Sequence, residues 1–91
     1  MRAYLATAIA EAWRLDEDQT TILFSDDTRV RLLYGLHATL ADLFVDPADE
    51  ARWLRDKLPA LEGLSPLEDM LSGKYGLVRV HDLVERMAGW R

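Results

Sequence analysis

Two histidines, His37 and His81, have the most chemistry to offer in this sequence. His81 and Glu85 stand four residues apart, which on a helix puts both on one face at a spacing able to hold a metal ion. Two ligands do not make a site, and no third is visible, so a boundary histidine beside a surface carboxylate is the plainer reading. His37 follows Gly35-Leu36, and no serine lies in a nucleophile motif near it. Carboxylates come in runs: Asp16-Glu17-Asp18, Asp26-Asp27 and Glu68-Asp69. Each run falls in or before a predicted first helical turn, where an acid stabilises the helix dipole by about 0.3–1 kcal/mol. Capping accounts for them without general acid–base work. Gly73-Lys74-Tyr75-Gly76 lacks the full phosphate-loop pattern and has no strand before it, so it reads as a turn between helices. No catalytic residue, metal or cofactor is expected.

The elements that carry these residues are helices. Leu5, Ala8, Ile9, Ala12 and Trp13 recur at three- and four-residue steps, giving a first helix over about 3–14. Asp16 and Gln19 form a possible capping box for a short second helix that ends at Ile22-Leu23-Phe24. Ser25-Asp26-Asp27 supplies caps for the longest helix, about 28–45, with Val30, Leu33, Leu36, Leu40, Leu43 and Phe44 as its inner stripe. Gly35 lies inside it at a cost of about 1 kcal/mol, which a close helix crossing would explain. Asp46-Pro47-Ala48-Asp49 starts a fourth helix, with Ala51, Leu54 and Leu58 facing inward until Pro59 stops it. A loop runs from Pro59 to Leu64. Ser65-Pro66-Leu67-Glu68 is a second capping box, opening a helix that ends at Gly73. The last helix covers about 74–88, with Leu77, Val80, Leu83, Val84 and Met87 inward and Arg79, Asp82, Glu85 and Arg86 outward. The fold class is all-α: a compact bundle of about six short helices.

Composition sets the outer limits. The chain has 91 residues, no cysteine, and 11 basic against 16 acidic side chains, for a net charge of −5. That length allows one compact domain burying about 60–70% of its unfolded surface. Without cysteine there is no disulfide or thiolate chemistry, which points to a reducing, cytoplasmic setting. No run of about 18 apolar residues is present, so no membrane span is expected. Residues 1–46 hold four basic and eight acidic side chains; residues 47–91 hold seven and eight. The acidic excess is therefore in the N-terminal part, which disfavours DNA there. Arg52, Arg55 and Lys57 are interleaved with Asp49, Glu50 and Asp56, the pattern of ordinary solvated ion pairs. Trp13, Trp53 and Trp90 are core residues by type. Trp90 is followed only by Arg91, and both types are enriched in interface hot spots, so folding back and contacting a partner are equally open.

Several runs together resemble the toxin-binding domain of Xre/MbcA/ParS-type antitoxins. Leu32-Leu33-Tyr34-Gly35-Leu36-His37-Ala38-Thr39-Leu40 is similar to the family's long helix. Leu43-Phe44-Val45-Asp46-Pro47 is similar to its turn, and Ala51-Arg52-Trp53-Leu54-Arg55 to the helix after it. Pro59-Ala60-Leu61-Glu62-Gly63-Leu64-Ser65-Pro66-Leu67, then Met70-Leu71, resembles its loop and next helix. Val80, Leu83 and Gly89-Trp90 resemble its tail. Leu58 stands where the family usually has asparagine, and Glu62 replaces the loop's first glycine.

The resemblance implies a non-enzymatic antitoxin whose partner is a RES-domain toxin of the NAD-consuming kind, blocked by occlusion of its active site. It also implies the toxin-binding residues: Trp53, Pro59, Leu61, Gly63, Ser65, Pro66, Trp90 and Arg91. The domain division is then 1–25, resembling a truncated helix-turn-helix, and 26–91, the toxin-binding domain. After Phe24 the chain reaches Asp26-Asp27-Thr28-Arg29 with no room for a separate recognition helix. The N-terminal piece would serve packing or homodimer formation. A DNA-binding autoregulator and a homodimeric scaffold are the alternative readings.

Overall fold

The computed structural model describes residues 2–89, with residues 2–5 as backbone alone. Among these residues there are six α-helices and no strand: α1 (Arg2–Ala12), α2 (Glu17–Leu23), α3 (Asp27–Leu43), α4 (Pro47–Trp53), α5 (Pro66–Ser72) and α6 (Lys74–Gly89). A 3-10 turn at Pro59–Leu61 lies between α4 and α5. Its radius of gyration, 12.1 Å, matches the ~12 Å expected of a compact chain of this length. No described helix is long and apolar enough to cross a membrane.

Local hydrogen bonding sets the helix starts. Asp16 and Gln19 close a reciprocal capping box on α2, with Gln19 N–H donating to Asp16 Oδ1 at 2.8 Å. Asp26 accepts from Arg29 N–H at 2.8 Å to cap α3, and Asp46 accepts from Ala48 N–H at 2.9 Å to cap α4. Ser65 and Glu68 repeat the box on α5, with Pro66 in its first turn.

Glu68 also accepts a hydrogen bond from the Lys57 ammonium. That contact, helped by the Ser65 backbone N–H, lowers the Glu68 carboxyl from 4.5 to about 2. A carboxyl depressed by folding stabilises the fold above its ordinary pKa and loses that contribution as pH falls through its folded value. Glu68→Gln keeps the capping box but loses the ion pair. The wild type's advantage in Tm over this variant is expected to be full above pH 4.5 and to shrink towards pH 2. An advantage that stays constant across that window would contradict this assignment.

The core draws on every helix. Ile9 and Trp13 from the first segment, Leu23 from α2, and Leu33, Leu36 and Leu40 from α3 are buried together with Leu54, Leu61, Leu67 and Met70. Leu77, Val80 and Val84 of α6 complete it. Residues before and after position 25 thus share one core.

Three expectations need correction. The fourth helix stops at Trp53 instead of near residue 58. Pro59 has no N–H to continue the ladder and holds Leu58 extended, while the Leu54 carbonyl accepts from Leu67 N–H at 2.8 Å. Ala8 is exposed although it falls on the apolar stripe of α1. The close crossing is not at Gly35, where an added Cβ would meet only His81 Nε2 at 3.9 Å. It is at Gly76, where an added Cβ would fall 1.8 Å from the Asp69 carbonyl oxygen. Gly73, at φ 149, lets α6 begin directly after α5 by adopting a backbone conformation reserved for glycine.

Candidate functional site

The segment between α4 and α5 is a self-closed loop. Leu58 N–H donates to Leu64 O and Gly63 N–H to Leu58 O, both at 3.0 Å, while Glu62 N–H donates to Pro59 O at 3.1 Å. Leu61 is buried beneath the loop, and Leu58 and Leu64 are half-buried. These bonds and this apolar anchor fix a backbone that would otherwise be left to solvent. The tip presents Pro59, Ala60, Glu62 and Gly63, all exposed. Glu62 and Gly63 both take positive φ, 59° and 86°. A glutamate in this region is strained where a glycine is not.

A clamp below the tip joins α5 to α6. Asp69 is 1% exposed and receives two hydrogen bonds from Arg79, Nε to Oδ2 and Nη2 to Oδ1, each at 2.7 Å. This fork-on-carboxylate geometry is the strongest form such a pair takes. Asp69 raises the Arg79 guanidinium above its ordinary pKa, chiefly through these bonds. Arg79 also reaches Glu62 Oε1 at 3.9 Å, so the loop tip stands over α6. Gly76 is what allows Asp69 to approach α6 this closely. Asp69 keeps the first-turn position and Arg79 the outer face of α6 that their spacing in sequence predicts. The burial of Asp69 and its pairing with Arg79 were not legible, because they arise only when α6 folds back along α5.

A second buried carboxylate holds α1, α3 and α4 together. Glu50 is 3% exposed; its Oε2 accepts from Trp13 Nε1 and lies 2.9 Å from His37 Nδ1. Trp13 and His37 meet edge to face with ring centroids 6.0 Å apart. Glu50 was expected among solvated ion pairs. It instead ties its own helix, α4, to Trp13 just past the end of α1 and to His37 of α3, and so fixes the seat of α4.

That seat positions Trp53. Its ring is half-buried and packs on Phe44 at 6.0 Å between centroids. Of the other sequence candidates, Pro59 and Gly63 are exposed at the tip, whereas Leu61, Ser65 and Pro66 are buried and hold the loop in place. Trp90 and Arg91 lie outside the described residues. Sequence reasoning passed over two exposed apolar side chains, Tyr75 at 94% and Val45 at 100%. Tyr75 lies one turn before Arg79 on α6 and so shares its face. Its position off the Leu77/Val80/Val84 stripe was the available signal.

The arrangement offers a surface. His81 stands 3.9 Å from both Asp82 and Glu85. No three histidine, aspartate or glutamate side chains gather as a ligand set among the described residues. The self-closed loop tip and the outer face of α6 present exposed apolar and charged side chains on a fixed backbone, with Trp53 half-buried at the end of α4; such features are what a protein partner engages.

A family model for the antitoxin Xre/MbcA/ParS C-terminal toxin-binding domain matches residues 39–89. The match begins in the second half of α3 and takes in α4, the loop, α5 and α6. No curated protein and no solved structure matches the chain.

Proposed function

The chain belongs to the Xre/MbcA/ParS antitoxin family through its C-terminal toxin-binding domain, and from this premise we propose that it is the antitoxin of a RES-type, NAD-consuming toxin and inhibits it by covering the active site. The observation that carries the reading is the match over 39–89, which contains the whole loop-and-α6 surface. The catalyst in the pair is the toxin; this chain contributes surface in the cytoplasm. The contacts would come from Trp53, Pro59 and Gly63, with Tyr75 and Arg79 beside them, and from Trp90 and Arg91. Leu61, Ser65 and Pro66 would act by shaping the loop. Residues 1–25 would serve packing, as a reduced helix-turn-helix.

Co-expression with the product of the adjacent gene tests this. Co-purification of the two chains and rescue of growth are expected. Absence of a complex, together with no rescue, would refute the pairing. Tyr75→Ala separates binding from folding, because a side chain this exposed contributes little to stability. Its Tm should stay near the wild type's while affinity for the toxin falls about tenfold or more, as for an aromatic hot spot. Unchanged affinity would remove Tyr75 from the interface.

A further inference from the structure

A groove of about 550 Å³ lies where the end of α1 meets α4 and is lined by Arg14, Ala48, Ala51, Arg52, Arg55 and Asp56. Three arginines line this one groove in a chain of net charge −5. Arg55 is pinned in place: Nη1 donates to Ala51 O at 3.0 Å and Nη2 to Arg14 O at 2.9 Å. Its charge is thus fixed without a carboxylate partner among the described residues.

Arg14 is the second observation. Leu15 N–H donates to Ala10 O at 2.9 Å and Arg14 N–H to Glu11 O at 3.1 Å, which is the Schellman ending of α1. Arg14 occupies the left-handed position of that motif, with φ 57. Glycine is the favoured residue there, and any side chain is strained. A strained arginine that lines a groove with two others is an outlier of the kind that accompanies binding.

We propose that this groove seats a single carboxylate, an acidic side chain on a peptide segment of a protein partner. The local charges fit one anion. Arg14, Arg52 and Arg55 stand against Asp56 in the groove and Asp49, which holds Arg52 at 3.1 Å on the exposed surface. Ala48 and Ala51 leave an apolar floor for the stem of the acid, and guanidinium groups suit its head. A nucleic acid would bring many charges to a chain already acidic overall. Five of the six lining residues lie within the matched span and Arg14 lies outside it; the proposal rests on the groove's own charges and does not require the toxin reading.

The test is an NMR titration with a blocked Ala-Ala-Glu-Ala-Ala peptide and its glutamine counterpart. The glutamate peptide is expected to shift the Ala48 and Ala51 methyls and the arginine Nε–H signals saturably, and the glutamine peptide is not. Arg14→Gly keeps the carbonyl that Arg55 uses and relieves the strain. Its Tm should equal or exceed the wild type's while peptide affinity falls roughly three- to fivefold. Arg52→Ala, at an exposed site, should weaken binding similarly. Equal shifts with both peptides, or full affinity in Arg14→Gly, would overturn the assignment. So would saturable shifts at these residues with a DNA duplex and none with the glutamate peptide.

Discussion

Gly76→Ala is expected to cost at least about 3 kcal/mol of stability, while the same substitution at Gly35 is expected to add about 0.5–1 kcal/mol. Both glycines lie within helices, and alanine is the better helix former at each, so local propensity predicts the same sign for both. Their surroundings differ. At Gly76 a methyl group would fall 1.8 Å from the Asp69 carbonyl oxygen, 2.6 Å from its carbonyl carbon and 2.8 Å from Oδ1. Two of these atoms are backbone, so relief requires α5 and α6 to move apart. That movement pulls Asp69 away from Arg79 and leaves a carboxylate buried without its full set of donors. At Gly35 the one neighbour is His81 Nε2 at 3.9 Å, an ordinary contact distance.

A domain of this size has a total stability of about 5–14 kcal/mol, so the Gly76 change removes a large part of it. With about 4–8 °C per kcal/mol, Tm should fall by roughly 12–24 °C. Paired thermal and urea melts of the two variants measure this. Equal effects at the two positions would show that the α5–α6 contact is not as close as described.

Glu50→Ala is the second large effect, expected at about 3–5 kcal/mol. The substitution removes the acceptor of Trp13 Nε1 and the partner of His37 Nδ1 in one step, within the interior. An orphaned buried donor carries its full desolvation cost, about 1–3 kcal/mol. The lost side-chain volume leaves a cavity as well. Glu50→Gln keeps the shape and one acceptor oxygen, so it should cost less than the alanine variant. Coupling is the sharper measurement. A double-mutant cycle of Glu50→Ala with Trp13→Phe should give an interaction energy of about 0.5–3 kcal/mol, since the phenylalanine variant has already lost the indole donor. Additive effects would mean that the two side chains do not share a hydrogen bond. Because Glu50 seats α4, the variant should also loosen Trp53 and weaken any partner bound there.

Much of the helix layout was legible because its signals are local. A cap, a proline in the first turn or a glycine at the end acts through residues two to four positions away. Asp16 with Gln19, Asp46 with Pro47, Ser65 with Glu68 and Gly73 all behave as their spacing predicts. The apolar stripes of α3 and α6 were equally readable, for the same periodic reason. The loop from Pro59 to Leu64 was legible from its breakers, Pro59 and Gly63, but which of its residues face outward was not. Leu61, Ser65 and Pro66 point into the fold while Pro59 and Gly63 do not, and nothing in their order in the chain distinguishes them.

The sequence by itself determined an all-α chain, its helix starts, most of its core and the run of residues that carries the family match. The tertiary structure decided the fate of the polar residues. Glu50 sits in a window of alternating charges that looks fully solvated, yet Trp13 lies 37 positions away in sequence and beside it in space. Asp69 has a position suited to a helix dipole, yet Arg79 crosses over to bury it. Gly35 and Gly76 are alike as letters and opposite in consequence. A cap is a contact between neighbours in the chain, and therefore written in its spacing. Burial of a charge depends on which distant segment arrives to supply the donors, and that is settled only when the helices pack.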